Sequence, residues 1–299
     1  MKRSIFTIII LIFFINNCDK NPTKSNDNQI QEDYTIVFYA DSIGQNNKHT
    51  YTIDIDGSHL KKIMDYGQLP VWYDNKSKIL YMDKRYSQIK LKALEDTTLV
   101  DSIIVTYNEN LDFLRYSKSL NCLLFQYTKE YRTRIAKIDL NTLILEDISM
   151  PPYDEANPNT SEVDNWIYFS TIRNKTYDIY RMKVDRSQYQ PVLQDSNYNY
   201  HTFSVSADGK YIASPKYNDE ESFIVIYDID LQKEETIYQS NYGKALYTTF
   251  TKDNKYVLFI IGIPYNYSIP REIYRINKDG SNLIQLTYLN NLIGRPLAW

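Results

Sequence analysis

The side chains able to do chemistry are few and scattered. Three histidines, His49, His59 and His201, share no short spacing that would converge them on a metal, and they read as solvated loop residues. Cysteine occurs only at positions 18 and 122, too few for a zinc site. No Gly-x-Ser-x-Gly elbow, phosphate-binding glycine loop, Gly-x-Gly-x-x-Gly turn or His-Glu-x-x-His pair is present. The carboxylate runs Asp219-Glu220-Glu221 and Glu234-Glu235 read as loops. Adjacent side chains there diverge rather than oppose one another across a substrate, as paired glycosidase acids do. No acid is marked for burial. The Asp-Gly-Ser sites at Asp56 and Asp279 lack the alternating oxygens of a calcium loop and read as hairpin turns. No catalytic residue, metal ligand or cofactor is expected.

What recurs instead is tyrosine beside a cation. Five short segments carry both: 83–88 (DKRYSQ), 128–134 (TKEYRTR), 171–178 (TIRNKTYD), 214–222 (SPKYNDEES) and 262–272 (GIPYNYSIPRE). A ring next to a guanidinium or ammonium suits stacking and charge-assisted hydrogen bonds. The candidate binding residues are therefore Arg85, Tyr86, Tyr131, Arg134, Arg173, Tyr177, Lys216, Tyr217, Tyr265, Tyr267 and Arg271. The partner such residues suit is anionic or amphipathic: a protein or peptide, or a glycan. In the longest segment two prolines, Pro264 and Pro270, lower the entropy lost on binding.

The elements that must position these residues begin after a leader. Lys2 and Arg3 precede an apolar run from Ile5 to Ile15, which polar Asn16, Asn17, Asp19 and Lys20 end. The run is too short to span a hydrocarbon core of ~30 Å and fits a signal segment over 1–17. Cys18 follows at once, with Ile15 three residues upstream, an arrangement that resembles the lipobox of bacterial lipoproteins, although Asn16 and Asn17 stand where small residues are commoner. The resemblance implies a diacylglycerol thioether on Cys18 and a location in the cell envelope, at a membrane or the cell surface. Two or more acyl chains at ~0.8 kcal/mol per buried CH₂ hold a protein durably. Residues 18–33 are polar and lack apolar periodicity, as a flexible tether does. Cys122, inside LNCLLFQY, reads as a small buried hydrophobe.

From 34 to 299 the pattern changes to short β-rich runs separated by turn residues. PVWYDNKSKILYM, FLRYSKSLNCLLF, NTSEVDNWIYF, FSVSADGKYIAS and TTFTKDNKYVLF each read strand, polar turn, strand. Aligned on Trp72, Tyr116, Val205 and Phe250 they repeat about every 44 residues, the length of a four-stranded propeller blade. A second recurring half, clearest in EIYRINKDGSNLIQLT followed by GRPLAW, is similar to the repeat of TolB-like propellers, and the likeness runs from Tyr34 to Trp299. It implies an all-β, six-bladed β-propeller that serves as a non-enzymatic binding or scaffolding platform. Such a ring places its second-to-third-strand loops, and so the five tyrosine-cation segments, on one face. Residues 292–299 resemble a first strand without successors and 34–41 a second strand without a predecessor. Pairing them makes a composite blade that closes the ring and removes two free edges. The remaining blades are expected over 68–104, 109–150, 157–194, 199–239 and 244–287.

Composition limits the functions further. A net charge of −3 gives no basic field for nucleic acid. The 29 tyrosines accompany abundant Asn, Ile and Lys, a bias expected of an A/T-rich coding sequence. The rival reading is a carbohydrate-active propeller, a lyase or glycoside hydrolase, or a glycan-binding module. It requires an acid pair or a metal in the central funnel.

Overall fold

The computed structural model describes residues 35–41, 48–73, 76–84, 87–94, 101–107, 111–173, 175–241, 243–262, 270–294 and 297–298. The expected signal segment over 1–17, Cys18 and the expected tether over 18–33 lie outside the described residues. Every regular element among those described is a strand. Blade 1 holds β1 (Thr35–Asp41), β2 (Lys48–Asp54) and β3 (Lys61–Met64). Blade 2 holds β4 (Gln68–Tyr73), β5 (Lys78–Asp83), β6 (Gln88–Ala93) and β7 (Ser102–Thr106). Blade 3 holds β8 (Leu111–Ser117), β9 (Cys122–Lys129), β10 (Arg132–Asp139) and β11 (Leu145–Asp147). Blade 4 holds β12 (Asp154–Asn159), β13 (Trp166–Ile172), β14 (Tyr177–Lys183) and β15 (Gln190–Leu193). Blade 5 holds β16 (Ser204–Val205), β17 (Tyr211–Tyr217), β18 (Ser222–Asp228) and β19 (Lys233–Gln239). Blade 6 holds β20 (Lys244–Phe250), β21 (Tyr256–Gly262), β22 (Glu272–Asn277) and β23 (Ile284–Gln285). Each is an antiparallel meander, and blades 2 to 6 begin with their innermost strand. The all-β, six-bladed propeller expected from the repeats is the fold observed.

Two short strands, β24 (Leu292–Ile293) and β25 (Leu297–Ala298), close the ring. They pair antiparallel with β1, matching Asp41 with Leu292, Ala40 with Ile293, Val37 with Leu297 and Ile36 with Ala298. The C-terminal segment thus supplies the innermost strand of the N-terminal blade. Gly294 lies between the two short strands because nothing larger fits: a Cβ there would sit 2.0 Å from Cζ of Tyr39. Behind this seam Ile36, Phe38 and Ile53 of blade 1 pack with Leu258, Ile260 and Ile273 of blade 6.

The middle strands are buried on both faces, which explains their unbroken apolar runs such as ILYM, CLLF and VLFI. Each blade packs on the next. Cys122, Leu124 and Ile135 of blade 3, for example, meet Ile167, Phe169 and Met182 of blade 4. Burying each such side chain stabilises by about 1.5–3 kcal/mol. Cys122 is among them, and burial pushes its thiol up to about 12.

The polar turns are hairpins. Gly209 takes φ +72°, and its N–H donates to the Ser206 carbonyl at 3.0 Å. Asn254 holds the equivalent left-handed position, φ +61°, and its Oδ1 accepts the Ala207 N–H at 2.8 Å, tying blade 6 to blade 5. Two expectations change. Blade 4 begins at Asp154 instead of 157, and Glu234-Glu235 lies within β19 rather than in a loop. The first shift follows from a bulge: the β12–β13 register slips between Ala156 and Asn159, and Asn157 turns to φ +52°, interrupting the alternation that marks a strand.

Candidate functional site

Antiparallel order fixes which residues share a face. Asp154 pairs with Ile172, and Lys244 with Gly262, so innermost strands begin where second strands end. The second-to-third-strand loops and the connections between blades therefore lie at one end of the ring. Among the described residues three tyrosines stand exposed there. Tyr131 is fully exposed in the β9–β10 turn at φ +62°, and Tyr153 and Tyr288 lie in the connections following blades 3 and 6. Exposed Arg132 follows Tyr131, and its guanidinium donates to the Pro152 carbonyl. Among the described residues, exposed aliphatics lie in first-to-second and third-to-fourth strand turns at the opposite end, Leu60, Leu143, Ile144, Val163, Leu231 and Leu283, and on the outermost strands β7, β11 and β23, Ile103, Leu145 and Ile284.

The cations chosen from the sequence are more enclosed. Arg134 is 17% exposed, with Nη1 3.3 Å from Oδ2 of Asp147. Burial alone would raise the Asp147 pKa, but hydrogen bonds from Tyr127, Ser149 and Arg134 hold it below the usual carboxylate range. Arg173 sits among three rings, with Cζ 4.0, 4.4 and 4.7 Å from the centroids of Tyr153, Tyr180 and Tyr189. Lys216 Nζ lies 2.6 Å from Glu234 and 3.5 Å from Asp195, below the rings of Tyr198 and Tyr200. Tyr177 lies against His201, tilted by 34° with centroids 4.1 Å apart, and the Lys244 ammonium stands 4.7 Å over Tyr217. Arg271 packs its alkyl stem against Gly262, where a Cβ would come within 2.7 Å of Cγ. Arg85, Tyr86, Tyr265 and Tyr267 lie outside the described residues.

Buried acids exist, contrary to the sequence reading. Glu155 is wholly buried, and its carboxylate accepts the Tyr189 hydroxyl at 2.6 Å and the Met150 N–H at 3.0 Å. Asp178 is 2% exposed and accepts from Gln194 at 3.3 Å. Burial raises both pKa values above the ordinary. The two flank Thr171 in one cross-strand row of blade 4, on the side facing blade 3. That interface, not the funnel, holds them. Asp83, also 2% exposed, is paired with Lys90 at 2.9 Å. Among the described residues no three His, Cys, Asp or Glu side chains are grouped to hold a metal.

The histidines also differ from expectation. His49 lies in β2 with its side chain 25% exposed, and His201 lies in the central channel; only His59 is a solvated loop residue. At the tyrosine end the channel is crossed by rings. Phe113 of blade 3 meets Tyr247 of blade 6 at 5.9 Å between centroids, and His201 lies 6.4 Å from Phe113. Blades 3 and 6 stand opposite in a six-membered ring, so this contact spans the axis. Phe113 and Tyr247 occupy bulges at φ +53° and +54°, which turn their side chains into the lumen. Tyr39 adjoins them, and burial, reinforced by Asp112 and Tyr247, pushes its phenol pKa up.

Beyond this plug, toward the other end, the channel opens into a cavity of about 150 Å³. The far ends of the innermost strands line it, with Trp72, Tyr116 and Phe250 among its walls and Arg115, Lys118, Glu162 and Lys252 among its charges.

No family sequence model matches the chain, and no curated protein sequence matches it. Solved structures do. The chain is similar to TolB from Acinetobacter baumannii at 16% identity and a TM-score of 0.73, covering 88% of this chain and 66% of that one, just under two thirds. A putative TolB from Agrobacterium tumefaciens gives 13% identity and a TM-score of 0.68, covering 87% and 90%. An oligogalacturonate lyase from Vibrio parahaemolyticus gives 13% identity and a TM-score of 0.57, covering 84% and 79%. At these identities the likeness is one of fold.

Proposed function

We propose that this chain is a non-catalytic binding or scaffolding protein, lipid-anchored at Cys18 in the cell envelope, that holds a protein or peptide segment on the tyrosine face. The observation carrying this reading is the segregation of exposed side chains: Tyr131, Tyr153 and Tyr288 on one face, the aliphatics toward the other. Tyrosine presents a large rigid ring and a hydroxyl at low conformational cost, which suits a recognition surface. Arg132 adds an exposed cation beside Tyr131, and Arg173 backs Tyr153 by stacking beneath it. The enclosed cations Arg134 and Lys216 set the rigidity of this face rather than its charge. Support for a protein partner over carbohydrate turnover comes from Glu155 and Asp178, which are buried between blades 3 and 4. The likeness to TolB structures points the same way, and that to a lyase keeps glycan binding as the rival.

The test is cross-linking of the full-length lipoprotein in intact cells, followed by identification of what it retains. Tyr131→Ser, Arg132→Glu and Tyr288→Ser combined should abolish retention of the specific partner while leaving the melting temperature unchanged. An unaltered partner set overturns the reading, and retention of saccharide alone favours the rival.

A further inference from the structure

The two ends of the ring differ in one further respect, the place where the chain enters. β1 begins at Thr35, which pairs with Asp54, the last residue of β2 before the turn that carries Leu60. The chain therefore joins the ring at the aliphatic end. We propose that this end rests on a lipid bilayer, with the exposed aliphatic side chains of its turns taken into the interface. The inference rests on the lipid anchor at Cys18 and adds to it the orientation of the ring above the membrane. The point of entry favours that orientation. Taken as a random coil, the chain from Cys18 to Thr35 spans roughly 20–25 Å on average. Turning the ring over would carry it outward past β2 and β3 and then along the length of a seven-residue strand. At about 4.8 Å per strand and about 3.3 Å per residue, that path is roughly 33 Å.

The aliphatic side chains are placed as a flat surface requires. Among the described residues, the third-to-fourth-strand turns of blades 1, 3, 5 and 6 each present one: Leu60, Ile144, Leu231 and Leu283. The first-to-second-strand turn of blade 4 presents Val163. Ile144, Val163 and Leu231 are 64%, 69% and 73% exposed, so these side chains face solvent rather than cover the core. Equivalent turns of a ring stand at one level, and turns from five blades can meet a plane together. A protein partner seeks a contiguous patch or a groove. Here single side chains are set apart by polar turn residues around the rim, and a fluid interface takes up each of them independently. The turns can enter such a layer because their own carboxylates already bond the backbone. Oδ1 of Asp139 accepts the Asn141 and Thr142 N–H groups at 2.8 and 3.0 Å, and Oδ1 of Asp228 accepts those of Asp230 and Leu231 at 3.1 and 2.9 Å. The same carboxylates keep the immersion shallow, at the level of the headgroups.

The full-length lipoprotein, reconstituted in phosphatidylcholine vesicles, carries the test. Leu231→Cys and Leu283→Cys place a thiol at the aliphatic end, and Lys129→Cys places one on exposed β9 at the tyrosine end. Each is labelled with the environment-sensitive fluorophore nitrobenzoxadiazole; Cys122, 2% exposed, does not compete for it. Emission from positions 231 and 283 should be blue-shifted and at least twofold brighter than from 129. Doxyl-labelled phosphatidylcholine should quench the first two at least twofold and leave the third unchanged. Leu60→Ser, Ile144→Ser and Leu283→Ser combined should remove most of the quenching at 231 with an unchanged melting temperature. Failure of the protein to float with the vesicles on a density gradient overturns the anchor and this inference together. Flotation with all three probes unquenched, or with 129 quenched in place of the others, overturns the orientation and leaves the anchor standing. Brightening at 231 and 283 that doxyl lipid does not quench, and that grows with protein density, assigns this end to a second copy of the chain and overturns the inference as well. Indifference of the quenching to the triple substitution does the same.

Discussion

Gly294→Ala tests whether the seam between chain ends depends on one close approach. A methyl at position 294 would lie 2.0 Å from Cζ, 2.2 Å from Cε1 and 2.5 Å from Oη of Tyr39. No rotamer change of an alanine relieves this, so either the Tyr39 ring leaves its site or β24 lifts away from β1. If the strands adjust slightly, the cost is that of overpacking, about 1–3 kcal/mol. If the ring is expelled, the loss approaches that of truncating a buried aromatic, about 3–5 kcal/mol. A domain of this size shifts by roughly 2–4 °C per kcal/mol, so a loss of about 3 kcal/mol lowers the melting point by roughly 6–12 °C. Urea unfolding followed by tryptophan fluorescence supplies the free energies. A double-mutant cycle isolates the cause: with Tyr39→Ala already present, Gly294→Ala should cost under about 0.5 kcal/mol, because the clashing ring is gone. Strict additivity of the two substitutions, or a single variant within about 0.5 kcal/mol of the parent, refutes the reasoning.

Truncation before residue 292 should leave the inner edge of β1 unpaired, giving self-association in size-exclusion chromatography and loss of a cooperative urea transition; a monomer with an unchanged midpoint contradicts the closure argument. Lys216→Met strips the 2.6 Å partner from half-buried Glu234, at a cost of about 2–3 kcal/mol read by thermal melting, and Glu234→Gln in that background should restore part of it. Glu155 has a folded-state pKa raised above its unfolded value near 4.5. Its contribution to stability is therefore fully present below that value and lost as pH rises through the folded pKa. Urea midpoints should then show Glu155→Gln gaining on the parent between pH 4 and pH 8, whereas a difference independent of pH would show that the carboxylate does not titrate with folding.

The sequence revealed blades more readily than sites. Hairpin turns are local, and Asp208-Gly209 or Asp253-Asn254 declares itself within four residues, as do the apolar runs of the middle strands. The composite blade was legible because each chain end lacked the strand the other supplied. Arg134, Arg173 and Lys216 lie at the end where second strands pass to third, but their chemistry was not readable, because the partners come from other strands: Asp147 for Arg134, Glu234 for Lys216, Tyr153 and Tyr189 for Arg173. Only register brings these together. Tyr153 and Tyr288 lie in connections between blades, outside the second-to-third-strand loops, and only antiparallel order brings those connections to the same face. The acids at 155 and 178 gave no local sign, since their burial depends on the neighbouring blade. Phe113 and Tyr247 meet only when opposite blades face each other across the lumen, a relation no linear pattern encodes.

Pairing Ile36 with Ala298 has a kinetic consequence. The strand that completes blade 1 leaves the ribosome after every other described strand, so the first hairpin made must wait with a bare hydrogen-bonding edge for the last. Contacts spanning nearly the whole chain form slowly, and an open edge meanwhile recruits foreign strands. Yield of native protein should therefore be governed by how long the nascent chain is kept apart from its neighbours, through chaperone holding or dilution, rather than by the strength of the finished ring.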